Sequence, residues 1–282
     1  MAGAFRLRAP WDDRRVRSDR PSVTARGVAL TRSRMERPST PDGDPDAEQR
    51  LYDELGPVYG FRMGGRRGHR IEARTRFLDR EVLDALTAGV PQIVLVGAGY
   101  DGRALRFRHP DVRYFEVDHP ATQADKRRRV EQLGVPLDEI TFVEVDLMAA
   151  SVDPALAAAG HRADEPSLFV CEGLLLYLTR EVVVRLLTEL RARSAPGSRL
   201  ALSTRERLPG KAGLPTPRDL WRRVLLRFVG EPRRSSYELG GVARLLEETG
   251  WTVAREVHRD ELRRRGPGRR GMLVLATPAA LS

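Results

Sequence analysis

Acidic residues directly follow apolar segments at three places in the chain. They are Asp118, Asp146 and Glu172. A carboxylate in such a position accepts hydrogen bonds from hydroxyl and amino groups and attracts a cation. The set therefore predicts recognition of a polar, positively charged ligand.

A glycine-rich turn precedes the first of these acids. The apolar run 92–96 leads into Gly97, Gly99 and Gly102, which fit the spacing of a dinucleotide-binding loop. The next helix would begin at Asp101, whose charge repels the phosphate that such a helix start usually binds. S-adenosylmethionine, which has a sulfonium and no phosphate, suits the turn better than NAD does. A glycine turn that binds no ligand stays open as an alternative.

The elements around these residues alternate between strand and helix. The run 92–96 is continuously apolar, which is typical of a strand buried on both faces of a parallel sheet. We expect further strands at 112–118, 140–145, 167–171 and 198–203, and helices at 71–88, 120–133, 180–193 and 237–248. A terminal hairpin, 251–258 and 272–277, adds one antiparallel strand. The pattern predicts an α/β, doubly wound, mostly parallel sheet with one antiparallel strand near the C-terminus, and ligands at the carboxyl ends of its strands.

The domain boundaries follow from composition. Residues 1–40 hold ten arginines and four acids, which is +6 of the formal net charge of +10. We expect residues 1–46 to be a disordered basic tail, and Met35 is a candidate start that would make residues 1–34 dispensable. Residues 47–282 form the predicted domain, and 205–235 form a substrate-covering insertion.

Composition also bounds the environment and the partners. No apolar run approaches the roughly 20 residues that cross a membrane, and the single cysteine, Cys171, excludes an internal disulfide. We expect a cytoplasmic protein. Because arginine dominates and no aromatic residues interleave with a basic stripe, a nucleic-acid partner is disfavoured against a solvated tail.

Four motifs occur in an order that resembles a known family. They are Val-Gly-Ala-Gly-Tyr-Asp-Gly-Arg at 96–103, Phe-Glu-Val-Asp-His-Pro at 115–120, Val-Asp-Leu at 145–147 and Cys-Glu-Gly-Leu-Leu-Leu-Tyr-Leu at 171–178. The chain resembles the leucine carboxyl methyltransferase-like family, which includes bacterial polyketide-type O-methyltransferases. The resemblance covers roughly residues 50–278 and implies a class I methyltransferase with a Rossmann-like fold and S-adenosylmethionine as cofactor.

The resemblance also implies roles for individual residues. Arg74, with Arg76 as the fallback, corresponds to the arginine that binds the methionine carboxylate of the donor. Asp118 corresponds to the acid that accepts the ribose hydroxyls, with Glu116 as the fallback. The other implied cofactor contacts are Gly97, Ala98 and Gly99 at the methionine and ribose, Asp146 and Leu147 at the adenine, and Glu172 near the donor's amino group.

The methyl acceptor is less well defined. A carboxylate is already ionised at neutral pH and needs no general base, and the sequence shows no evident base; His119 fits a helix start as well as a catalytic role. The resemblance implies a small-molecule carboxylate, with Tyr177 as a candidate to orient it, and we expect no metal ion. The rivals are an NAD-dependent oxidoreductase and a non-catalytic or nucleic-acid-binding protein on the same fold. The oligomeric state does not follow from the sequence.

Overall fold

A computed structural model describes residues 22–55, 66–134, 140–207, 235, 237–258 and 269–280. Its centre is one eight-stranded sheet. The strands are β1 (Gln92–Val96), β2 (Arg113–Asp118), β3 (Ile140–Glu144), β4 (Ser167–Glu172), β5 (Arg199–Arg207), β6 (Tyr237–Glu238), β7 (Trp251–His258) and β8 (Arg269–Pro278). Their spatial order is β3-β2-β1-β4-β5-β8-β7, with β6 paired to the end of β5.

The predicted parallel sheet is confirmed. β3, β2, β1, β4 and β5 pair with one another in parallel in that order, and Val94 of β1 lies between Phe115 of β2 and Phe169 of β4. β8 is antiparallel to both β5 and β7, which is the predicted antiparallel strand near the C-terminus. This arrangement places the ends of β1 to β5 at one edge of the sheet.

Helices cover both faces of the sheet. They are α1 (Val23–Arg32), α2 (Ala47–Leu55), α3 (Arg66–Thr87), α4 (Arg103–Arg106), α5 (Pro120–Gln132), α6 (Val152–Ala158), α7 (Arg180–Ala192) and α8 (Gly241–Glu248). Ile93 and Leu95 pack with α2 and α3, whereas Val94 and Val96 pack with α6, α7 and α8. Because β1 is buried on both faces, its apolar run needs no polar alternation. None of the described helices is long and apolar enough to cross a membrane.

The N-terminal segment differs from the prediction. Residues 22–46 are not a disordered tail, since they include α1, whose Ser22 hydroxyl caps the helix by accepting from the Ala25 N–H at 3.1 Å. Arg32 and Arg37 of this segment are buried in ion pairs. The sequence prediction was wrong here because it treated arginine as solvated. Residues 1–21 lie outside the described part of the chain.

Two further boundaries change. Residues 205–207 belong to β5 and pair with β8, so the expected insertion cannot begin at 205; residues 208–234 and 236 lie outside the described residues. The helix expected over 237–248 is a two-residue strand followed by α8. The helices α1 and α6 were not predicted.

Candidate functional site

The predicted site residues come together at one edge of the sheet. Gly97, Asp118 and Glu172 follow or end β1, β2 and β4, and Asp146 follows β3 by two residues. Because these four strands are consecutive in the sheet, the residues form a row along the carboxyl ends.

The glycine turn is fixed by the neighbouring strand. The N–H groups of Gly97 and Ala98 both donate to the Val117 carbonyl, at 2.8 and 3.1 Å. Gly97 has a φ of +70°, and a Cβ there would lie 2.9 Å from the Leu174 side chain. The backbone conformation therefore favours glycine at this position, and a larger residue would also displace the Leu174 side chain.

Asp118 is tied to the turn by its carboxylate. Oδ2 accepts from the Gly99 N–H at 2.7 Å, and Oδ1 accepts from the His119 N–H at 2.7 Å. Burial raises the pKa of Asp118, although these two hydrogen bonds oppose the rise. A carboxylate has about four lone-pair positions, so each oxygen retains capacity to accept from a ligand hydroxyl.

The fallback for Asp118 lies elsewhere. Glu116 lies within β2, two residues before its end, where it is buried and paired with Lys126. The Lys126 ammonium also donates to the Asp101 carbonyl at 2.6 Å and so helps to hold the glycine turn in place. Lys126 is therefore a buried residue that joins β2 to the glycine turn.

The end of β3 supplies the residues expected at the adenine. Asp146 is partly exposed, and its Oδ1 accepts from the Met148 N–H at 2.9 Å. Leu147 is buried, and its carbonyl accepts from Arg185 of α7. These bonds fix the loop. Among the described residues, no hydrogen bond to Asp146 Oδ2 is seen.

Glu172 is the centre of an arginine cluster. Its carboxylate lies 2.6 Å from each of three guanidinium groups, those of Arg32, Arg74 and Arg103. Burial alone would raise the pKa of Glu172, but the three positive charges outweigh it and hold the pKa well below its usual range. Glu172 is therefore ionised at neutral pH and orients the arginines around it.

Arg74 remains able to bind a further anion. Its Nε donates to Glu172 Oε1, while its Nη1 lies against Gly173, where a Cβ would approach it to 2.9 Å. The side chain is one-fifth exposed. The fallback Arg76 lies on the surface and pairs with Glu72 instead, so the structure favours Arg74 for the site.

Arg32 joins the site without any signal recognised in the sequence. It ends α1, and its Nη2 contacts Glu172 at 2.6 Å and Asp101 at 3.2 Å. Its Nε is buried and has no hydrogen-bond partner among the described residues. The apolar residues Val28, Ala29 and Leu30 were a weak indication of α1, but nothing in the sequence indicated where Arg32 would point.

The charge of Asp101 is compensated. The Arg103 guanidinium contacts Asp101 Oδ2 at 2.6 Å. Burial alone would raise the pKa of Asp101, but the positive charges of Arg103 and Arg32 outweigh burial and lower it. The expectation that Asp101 repels a phosphate is therefore weakened, and the choice of cofactor depends on other observations.

Two candidates for the chemical step have different surroundings. His119 is the N-cap of α5, with Nδ1 accepting from the Ala121 N–H at 3.3 Å, which is the helix-start role. Tyr177 ends a short 3₁₀ turn, Leu175–Tyr177, in the segment that follows Glu172, and its side chain is partly exposed. Among the described residues no group of His, Cys, Asp and Glu could hold a metal ion.

Comparisons with known proteins agree with this geometry. A crystal structure described as that of a methyltransferase from Thermobifida fusca YX superposes with a TM-score of 0.56 at 17% identity, covering 96% of this chain and all of that chain. The fold is that of class I methyltransferases. The model of the leucine carboxyl methyltransferase family matches residues 48–191, and the chain belongs to that family.

Relatives of this chain bear names as S-adenosyl-L-methionine-dependent methyltransferases. One from Parafrankia sp. (strain EAN1pec) is 39% identical over 182 residues, covering 57% of this chain and 58% of the relative. One from Streptomyces coelicolor is 44% identical over 136 residues, covering 47% of each chain. The chain thus matches about half the length of these relatives.

Proposed function

We propose that this protein is a methyltransferase that uses S-adenosylmethionine and methylates a carboxylate of a small molecule. The observation that carries the proposal is the pairing of Arg74 with Glu172 at the end of β4, in the same row of strand ends as the Asp118 carboxylate of β2. Family membership and the relatives' names support the same donor.

The Arg74–Glu172 pair matches the amino-acid tail of the donor. That tail is a zwitterion, so a guanidinium would bind its carboxylate and a carboxylate would attract its ammonium. Arg32 adds a second guanidinium next to Glu172, and its positive charge favours the carboxylate of the tail. The residues present therefore fit the tail.

The adenosine part matches the neighbouring strand ends. The remaining lone pairs of Asp118 suit two ribose hydroxyls, and Gly97 allows the close approach of a ligand to the turn. Asp146 would accept from the adenine amino group, with the Leu147 N–H donating to the ring. Bound in this way, S-adenosylmethionine would supply an electrophilic methyl group.

A carboxylate acceptor suits these surroundings. Such an acceptor is ionised at neutral pH, so the protein has only to align its oxygen with the methyl carbon. His119 is engaged in capping α5 and is not required as a base. Tyr177 is the candidate to orient the acceptor from the loop after β4.

The direct test is methyl transfer from S-adenosylmethionine labelled in its methyl group to a panel of small carboxylic acids. We expect a product whose label is released as volatile methanol in base, as a methyl ester requires, and whose formation is lost in Asp118→Ala. The control, Asp164→Ala, removes an exposed carboxylate that pairs with Arg162. A base-stable product would identify a different acceptor atom, and no transfer from any acid would contradict the carboxylate proposal.

A further inference from the structure

We propose that Arg103 is a positioning residue of the donor site, which fixes the Glu172 carboxylate and through it the guanidinium of Arg74. The inference rests on the proposed function, because it concerns how the donor's amino-acid tail is held. Arg103 itself touches no ligand, since its side chain is completely buried.

The guanidinium of Arg103 joins three elements of the fold. Its Nε contacts Asp79 of α3 at 2.8 Å, and its Nη1 contacts Asp101 of the glycine turn and Glu172 of β4 at 2.6 Å each. Its Nη2 donates to the Thr75 carbonyl at 3.3 Å. All three nitrogens are engaged, so the group acts as a fixed junction behind the site.

Two carboxylates are held side by side by this junction. Asp101 and Glu172 both contact Arg103 Nη1 and also both contact Arg32 Nη2. Like charges this close repel unless cations lie between them. Without Arg103, Glu172 would turn away from Asp101 or take up a proton, and Arg74, which donates to the other Glu172 oxygen, would lose its orientation.

The far side of the junction is anchored rigidly. Asp79 also accepts two hydrogen bonds from Arg37, at 2.7 and 2.8 Å, and it is buried within the long helix α3. A planar guanidinium can bridge Asp79 and Glu172 in one fixed geometry, whereas a lysine offers a single point of charge. Lysine at this position would therefore not reproduce the junction.

Arg106 provides a matched control for Arg103. It lies one turn further along the same short helix, is also buried, and pairs with Glu48 while donating to the carbonyls of Arg37 and Pro38. None of these partners is a predicted donor contact. Arg103→Met and Arg106→Met therefore each remove a buried cation, and only the first removes one from the donor site.

The experiment measures the dissociation constants of two compounds by calorimetry. S-adenosylhomocysteine carries the amino-acid tail, and 5′-methylthioadenosine carries the adenosine and thioether without it. We expect Arg103→Met to weaken the binding of S-adenosylhomocysteine about ten- to 150-fold, the range for a charge-assisted contact. It should leave methylthioadenosine within about twofold. Arg106→Met should leave both constants within about twofold, although both variants lower the melting temperature.

The pH dependence provides a second readout. Affinity of Arg103→Met for S-adenosylhomocysteine should fall as the pH is lowered from about 8 to about 5.5, because Glu172 then gains a proton more readily. The wild type should not change in that range. A purely structural role for Arg103 would lower the melting temperature without this ligand-selective pH effect.

The outcomes separate the two proposals. Equal losses for both compounds, or the same selective loss in Arg106→Met, would overturn the role of Arg103. If Arg103→Met does not fold, Asp79→Asn loosens the same junction and should cause a smaller selective loss; an unchanged or uniform response would overturn the inference. Failure of the wild type to bind S-adenosylhomocysteine would instead remove the proposed function and this inference with it.

Discussion

Replacing Arg32 by alanine should weaken the binding of S-adenosylhomocysteine, although Arg32 lies in a segment that the sequence marked as a disordered tail. The guanidinium lies 2.6 Å from Glu172, its side chain is 5% exposed, and its Nε has no partner in the described structure. A contact to a charged group contributes about 1.5 to 3 kcal/mol. That corresponds to about a ten- to 150-fold increase in the dissociation constant.

The assay is calorimetric titration of Arg32→Ala, with Arg34→Ala as the matched control. Arg34 is exposed two residues further along, so its removal changes net charge equally without touching the site. Unchanged affinity in Arg32→Ala would refute the reasoning, as would an equal loss in both variants, which would indicate a long-range charge effect. Deleting residues 1–34 should weaken binding at least as much, whereas full affinity in the deletion would show that a start at Met35 is sufficient.

Three further predictions concern other parts of the fold. Burial lowers the pKa of His161 to about 4, so at a pH between 4 and 6.5 the unfolded state binds more protons than the folded state. The free energy of unfolding should therefore fall by about 2 to 3 kcal/mol as the pH drops from 6.5 to 4. Urea denaturation across this range would show it, and His161→Phe should abolish that part of the dependence. Gly97→Ala should lose about 1 to 2 kcal/mol of stability and also donor-analogue affinity. Gly89 has a φ of +71°, and a Cβ added there would have no neighbour within 4 Å, so Gly89→Ala should lose stability alone. Similar affinities of the two variants for the donor analogue would contradict the close contact at Gly97. Lys126→Met should cost about 3 to 5 kcal/mol by leaving Glu116 buried and unpaired, and Lys126→Met/Glu116→Gln should recover part of it in the same denaturation assay.

Much of the sheet could be predicted because the features that indicate each strand lie within a short stretch of sequence. The continuous apolar runs of β1 and β4, and the glycines that end β1, indicate buried parallel strands irrespective of what surrounds them. Asp118 and Glu172 could be placed at a shared edge because parallel strands end on the same side of a sheet. The confirmed terminal hairpin followed from two strand-like runs with a loop between them.

The arginine cluster could not be predicted in the same way. Whether an arginine is solvated or buried depends on which carboxylates the fold brings near it, and the partners of Arg32 and Arg103 come from distant parts of the chain. Asp101 illustrates the consequence. Its negative charge disfavours a bound phosphate only if no cation compensates it, and Arg32 and Arg103 both do so. Composition therefore indicated a basic tail, whereas the described part of that segment contains α1 and the contact of Arg32 with Glu172.

The most direct test of the proposed donor site is a calorimetric titration of the wild type and Asp118→Ala with S-adenosylhomocysteine, and with NADH in parallel. We expect S-adenosylhomocysteine alone to bind, at one site per chain, with affinity lost in the variant. Binding of NADH alone would favour the oxidoreductase, and binding of neither compound would contradict a nucleotide-derived cofactor at the ends of these strands.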